Sequence, residues 1–281
     1  MPGEPVSQKK IGLGVGLRSP HFPIFLNPET RPAYIQWVEV VSENFMDWQN
    51  QANPRAQKTL SRIREILPVA LHGVSLNLGS ADPLNQNYLG KLKSLVDQSE
   101  PLFVSDHLCW TGVDGINLHD LNPIPYTQHF LNYVSDRISK VQDFLKRPLL
   151  IENVSSYVTF KSSEMREEEF LTELVRKTDC RLLLDINNVF VSASNHGWSA
   201  EQFLKSLPHQ KVSQVHVAGH TTREDGFLID THDHPVRKEV LDLTRWYADH
   251  FGIPCLMLER DAHIPEWSEM EVELLKLKDC L

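Results

Sequence analysis

Short apolar runs rich in Val, Ile and Leu recur along this chain, bounded by proline, glycine or charged residues. They are IGLGVGL from Ile11, IQWVEVVS from Ile35, PVALHGVSL from Pro68, PLFVSDHL from Pro101, PLLIENV from Pro148, RLLLDINNV from Arg181, VSQVHVAG from Val212 and PCLMLER from Pro254. Runs this short and this continuous suit strands buried on both faces, as in a parallel sheet. Stretches with helical spacing separate them: PRAQKTLSRIREIL from Pro54, NYLGKLKSLVDQ from Asn87, YTQHFLNYVSDRISKVQDFL from Tyr126, REEEFLTELVRKT from Arg166, SAEQFLKSL from Ser199 and VRKEVLDLTRWYADHF from Val236. Proline or serine stands near several of the helix starts, where first-turn and capping residues belong. The alternation predicts an α/β chain forming a single (β/α)8 TIM barrel over residues 11–281, preceded by a polar tail over residues 1–10. An open doubly wound sheet would alternate in the same way, but the loop after the first run, LGVGLRSPHF, offers Gly14 and Gly16 without the third glycine of a dinucleotide fingerprint.

The polar residues that end the apolar runs change the picture from architecture to chemistry. His72, His107, Glu152, Asp185, His216 and Glu259 each stand at or near the end of a predicted strand. The carboxyl ends of all strands in such a barrel converge on one rim, so these side chains are expected to meet in one pocket. Any one of them alone reads as a satisfied structural histidine or a helix-capping carboxylate. The set reads as a metal centre. Asn188, three residues past Asp185, and Asp230 and His232 in IDTHDHP extend the candidates. Imidazole and carboxylate donors without cysteine favour zinc, iron or manganese.

Composition narrows the partners. The 281 residues are 41% hydrophobic and carry a net charge of -9, which gives no field to attract a polyanion and makes nucleic acid a poor partner. Cys109, Cys180, Cys255 and Cys280 form no C-x-x-C pair, so neither a zinc knuckle nor a disulfide framework is indicated and a reducing, cytoplasmic setting is expected. No run is long and apolar enough to suggest a membrane span or a secretory signal.

The segments GVGLR with the following His21, VSENF, LHGVSLNLGS, SDHLCW, IENVSSY, LLLDINNVFVSASNHG, HVAGH, DTHDHPV and LERD resemble those of the multinuclear non-heme iron-dependent oxidative enzymes. The resemblance runs from about Gly12 to about Asp261, with the motifs in the same order. It implies a barrel like those of xylose isomerase and endonuclease IV. It also implies an iron- and dioxygen-dependent enzyme that oxidises cysteine in a ribosomally made precursor peptide, as in the pathways to methanobactin and 3-thiaglutamate, generally with a separate peptide-binding partner protein. Carried over residue by residue, the resemblance implies two or three iron ions (Fe2+/Fe3+). His72 and His107 would hold the first with Glu152 as a bridge; Asp185, His216 and Glu259 would hold the second, sharing Glu152; Asn188, Asp230 and His232 would make the third. Glu152, Asp185 and His216 would then be catalytic through the metals. A carboxamide is a weaker donor than imidazole, so the third ion is expected to be labile.

Arg18, His21, Glu43, Asn44, Asp106 and His234 are candidate substrate contacts or supports for the ligands, or else residues that brace loops. Cys109 is expected to pack rather than react. His119, His129, His196, His209, His220, His250 and His263 carry no comparable argument for ligation. A zinc- or manganese-dependent hydrolase, phosphodiesterase or sugar isomerase of the same barrel group is the competing expectation, although Lys211 stands before its strand and offers no catalytic lysine at the rim. A binding module with a structural metal is a third.

Overall fold

Inward-facing glycines open the barrel. The computed structural model describes residues 11–46 and 54–281; the expected tail over residues 1–10 lies outside the described residues. Strand β1 (Gly12–Gly16) has the sequence GLGVG, and a Cβ on Gly14 would lie 2.2 Å from the Trp37 ring. The glycine alternation makes room for that indole, whose Nε1 donates to the Gly12 carbonyl at 3.2 Å.

Strands β2 (Trp37–Val41), β3 (Val69–Gly73), β4 (Val104–His107), β5 (Leu150–Glu152), β6 (Arg181–Asp185), β7 (Val212–Val217) and β8 (Cys255–Leu258) follow in order. Each pairs in parallel with its sequence neighbours, and β8 closes on β1. The barrel is thus the predicted one. After the strands come helices α1 (Phe22–Leu26), α2 (Pro54–Arg64), α3 (Gln86–Ser99), α4 (Gln128–Leu145), α5 (Glu167–Thr178), α6 (Ile186–His196), α7 (Ala200–Lys205), α8 (Lys238–Phe251) and α9 (Trp267–Lys278).

Strand alternation sorts the core into two parts. Leu13, Val38, Val40, Leu71, Ile151, Leu184, Val215 and Leu256 face outward into the layer under the helices. Trp37, Ala70, Cys255 and Met257 form a separate cluster that fills the lower barrel interior. Above it the same inward positions turn polar, with Glu39, Gln214 and His216 all buried.

Four elements depart from the expected pattern. Helix α6 begins directly at the end of β6, because Asp185 caps it by accepting the Asn188 N–H at 2.6 Å. Helix α9 closes the last β/α unit, covering β1 and β8. A hairpin of Trp110–Val113 and Ile116–Asn122 follows β4, turning on Asp114 and Gly115, both at positive φ (53° and 75°), as an Asp-Gly turn permits. A shorter hairpin, Thr221–Thr222 with Leu228–Ile229, follows β7. Among the described residues no helix is long and apolar enough to cross a membrane.

Candidate metal centre

The strand ends do converge. His107 and Glu152 are register partners across β4 and β5, as are Asp185 and His216 across β6 and β7, so each pair lies level on the inner face. Nε2 of His72 and Nε2 of His107 approach the same oxygen, Glu152 Oε2, at 3.4 and 3.3 Å. The other carboxylate oxygen of Glu152 lies 3.7 Å from His216 Nδ1, which is 2.9 Å from Glu259 Oε2. Two groups of donors result, His72–His107–Glu152 and Glu152–Asp185–His216–Glu259, each with its atoms close enough to share one ion and with Glu152 common to both.

The hydrogen-bonding ledger tests whether these residues fit a metal. Buried polar atoms in proteins are nearly always satisfied. Here Glu152 Oε2, Asp185 Oδ2 and Asn188 Oδ1 are buried without a hydrogen-bond partner, and His216 Nδ1 and His232 Nε2 face carboxylate oxygens, of Glu259 at 2.9 Å and of Asp230 at 2.7 Å. The opposite atoms of Asp185 and Asn188 are engaged. Asp185 Oδ1 caps α6, and Asn188 Nδ2 donates to the Asn153 carbonyl at 3.0 Å. His72 is oriented in the same manner, its Nδ1 meeting Ser105 Oγ at 2.8 Å. Asp185, Asn188 and His72 are thus held from behind with a further donor atom left toward the other candidate ligands, which is how metal ligands are oriented.

Electrostatics agree. Burial pushes Glu152 well above the usual carboxylate range, with Glu259, Asp185 and Glu39 adding to it against the opposing pull of His216. Burial likewise raises Asp185 to about 7. Burial alone would depress His216, but Glu39 and Glu259 beside it hold its pKa well above the ordinary imidazole value. His107 goes the other way, kept neutral by burial and by the neighbouring His72. So many crowded, mutually repelling carboxyl groups in a buried site are relieved by a cation.

The third expected group is looser. His232 Nε2 lies 2.7 Å from Asp230 Oδ1 and 3.9 Å from Asp185 Oδ2, with Asn188 Oδ1 turned to the same cavity. Asp230 Oδ1 also accepts from Asn187 Nδ2 at 2.7 Å, and Asn187 Oδ1 meets His220 Nδ1 at 2.8 Å. His220 therefore supports this region from behind. The other face of His232 offers Nδ1 to Glu259 (3.4 Å) and Asp261 (3.1 Å), a second donor group at the same residue.

Most of the suggested substrate contacts brace the rim. Arg18 donates through Nε to the Arg260 carbonyl at 2.8 Å and pairs with Asp261, its guanidinium 3.8 Å from Glu259. His21 is buried, bonded to the Pro265 carbonyl and edge-on to Trp267. Glu43 accepts from the Val74 N–H and the Tyr88 hydroxyl, while Asn44 is exposed. Asp106, pushed up to about 8 by burial and by Glu43, accepts from the N–H groups of His107 and Leu76 and so ties the β3–α3 loop to β4. His234 is half-exposed and pairs with Asp233. Lys211 sits before β7 and pairs with Asp179, away from the rim.

Cys109 is buried, and burial raises its thiol well above the ordinary value. A serine there is expected to leave metal content and activity within about twofold of the parent, since an inert buried thiol contributes packing only. Metal analysis and turnover of Cys109→Ser check this.

His72, His107, Glu152, Asn188, His232 and Glu259 line a cavity of about 410 Å³, walled further by Tyr157 and by Asn117, His119, Asp120 and Leu121 of the hairpin after β4. Sequence reasoning did not place that hairpin over the mouth, although the Val113-Asp114-Gly115 turn was its signal. It also passed over Asp261, inside LERD, and over Glu39 and Gln214, polar residues in the middle of apolar strands.

A family model described as "RiPP precursor modification enzyme MbnB/TglH/ChrH" matches residues 12–281. The chain belongs to this family. RiPP enzymes act on ribosomally made peptides, so a MbnB/TglH/ChrH-type protein is a peptide-modifying enzyme, and the cavity above is where this member could hold metal ions. The chain is 49% identical over 263 residues to a UPF0276 protein of Caulobacter vibrioides, covering 94% of this chain and 91% of that one. A UPF0276 protein of Vibrio parahaemolyticus is 42% identical over 256 residues, with 90% and 86% covered. Among solved structures, endonuclease IV from Thermus thermophilus superposes with a TM-score of 0.61 at 15% identity, covering 95% of this chain and 99% of that one. D-psicose 3-epimerase from Clostridium cellulolyticum gives 0.60 at 10% identity, with 96% of each covered. These similarities establish the barrel type and carry nothing of its chemistry.

Proposed function

We propose that this member of the family uses two or three bound iron ions and dioxygen to oxidise a cysteine of a ribosomally made precursor peptide. The observation that carries the reading is the set of buried, unpartnered donor atoms around Glu152, placed in an enzyme family whose substrates are peptides. Iron bound there would supply the redox chemistry and favour the thiolate of the substrate cysteine. The residues of the chain orient the donors, exclude water from the lower barrel and present a cavity open at the rim to the peptide. A separate peptide-binding protein is the proposed partner, and a cytoplasmic setting the proposed location.

Among the described residues that line the cavity there is no lysine or arginine. A lysine-assisted sugar isomerisation therefore finds no lysine there, whereas a metal-dependent hydrolase would draw its positive charge from the ions themselves and is separated from the oxidative reading by the identity of the metal. The test is metal analysis with Mössbauer spectroscopy on protein purified without oxygen, followed by dioxygen uptake with a cysteine-containing precursor peptide. Iron at two to three equivalents with peptide-dependent uptake supports the reading. Zinc or manganese retained in place of iron, with no uptake, would replace it with the hydrolase class.

The ion assigned to Asn188, Asp230 and His232 is expected to leave first. A graded titration with a mild chelator should remove about one equivalent before the others, given the weak carboxamide donor. Equal resistance of all ions would reject the assignment.

A further inference from the structure

We infer that Glu39 is a positioning residue which decides that His216 offers Nδ1, rather than Nε2, to the metal. Glu39 lies in the middle of β2, faces the barrel interior and is 2% exposed. Its Oε1 is 3.1 Å from His216 Nε2, and its Oε2 accepts from Gln214 Nε2 at 2.5 Å. Both oxygens are thus directed below the donor layer, and Glu39 is absent from the groups able to share an ion. The opposite ring nitrogen, Nδ1, faces the carboxylates of Glu259 at 2.9 Å and Glu152 at 3.7 Å, inside the donor group.

Gln214 makes the choice of tautomer a real one. Its Nε2 is 2.7 Å from His216 Nε2, so it could donate a hydrogen to that nitrogen. The ring proton would then sit on Nδ1, directed at Glu259, and block ligation. A carboxylate at Oε1 reverses the preference, because it can only accept and so fixes the proton on Nε2. Glu39 also holds Gln214 through its second oxygen, drawing the competing amide toward itself. Carboxylate–histidine–metal relays of this kind fix the ring and raise the basicity of the ligating nitrogen. Here the relay runs through the barrel interior, from β2 to β7, two strands that are not neighbours in the sheet.

The inference rests on the reading that the cluster holds metal, and zinc alone serves as a diamagnetic probe. In protein carrying 15N-labelled histidine, two-bond proton–nitrogen spectra report which nitrogen of each ring is protonated. His216 is assigned by its loss in His216→Ala. The expected result for zinc-loaded wild type is a proton on Nε2 and metal on Nδ1. In Glu39→Gln, zinc affinity measured against a chromophoric chelator should fall ~10–100-fold at one site, the typical cost of removing such a support, with the His72–His107 site unchanged. Zinc on Nε2 of wild-type His216 overturns the inference while leaving the metal reading intact. So does a Glu39→Gln variant that binds at every site like wild type, or one that weakens every site equally with a lower metal-free Tm. Failure of wild type to bind zinc or iron at all would overturn both.

Discussion

Replacing Glu152 with alanine will remove more than one equivalent of metal and lower peptide-modifying activity by ~10²-fold or more. Losing a mere support of a ligand costs ~10–100-fold, and in the proposed centre Glu152 would touch two ions directly. One of its oxygens faces His72 and His107, and the other faces His216. It is buried at the junction of both donor groups, so no neighbouring carboxylate could substitute for it without moving a strand. The metal-free variant should melt no lower than the metal-free parent. Alanine removes a buried carboxyl that Glu259, Asp185 and Glu39 all repel. What disappears is the rise in Tm on adding metal, because stabilisation by a ligand follows its occupancy. Metal content by elemental analysis and paired melting curves check both halves. Iron unchanged in Glu152→Ala would remove the bridging role.

The second large effect is a reversal of pH dependence between the metal-free and metal-loaded protein. Without metal, His216 and His232 hold pKa values well above the ordinary imidazole value of ~6.5, because their carboxylate neighbours outweigh burial. That stabilisation is fully present below ~6.5 and is lost as pH rises through the raised folded values. Asp106, raised to about 8, adds the same slope: its cost begins above ~4, where the unfolded carboxyl ionises, and grows until pH 8. His107, kept neutral, acts oppositely but only below ~6.5. The metal-free Tm is therefore expected to fall from about pH 7 to about pH 9. Metal binding must displace protons from His216, His232 and Glu152, so affinity, and the Tm increment on loading, should rise over the same interval. Calorimetric titration in two buffers of different ionisation enthalpy measures the protons released. Binding without proton release, or a metal increment that shrinks with pH, would show that these groups do not ligate.

Periodicity and strand-end chemistry carried most of the barrel and the candidate donors. Each apolar run is short, ends in proline, glycine or charge, and is buried on both faces, which leaves few architectures besides a closed parallel sheet. His72, His107, Glu152, Asp185, His216 and Glu259 were legible because a strand end is a definite place in such a barrel, whatever loops lie between. The same reasoning was silent on α6, since INNVFVSASNH continues the apolar run of β6 and only the cap made by Asp185 marks the change.

Atom-level roles were decided by the tertiary structure. The chain alone shows that Asp185 has two oxygens; only packing shows that one caps a helix and the other is left for the cavity. Arg18 and His21 stand in a loop that could face substrate, and the contacts with Arg260 and Pro265, more than two hundred residues away in sequence, turn them into braces. Glu39 in WVEVV is separated from His216 by most of the chain, and its meaning appears only when the barrel closes and brings β2 and β7 to face each other across the interior. Local pattern is set by burial of each segment against any apolar surface, and so can be read along the chain. Which lone pair faces which neighbour depends on distances between segments, and those exist only in the folded barrel.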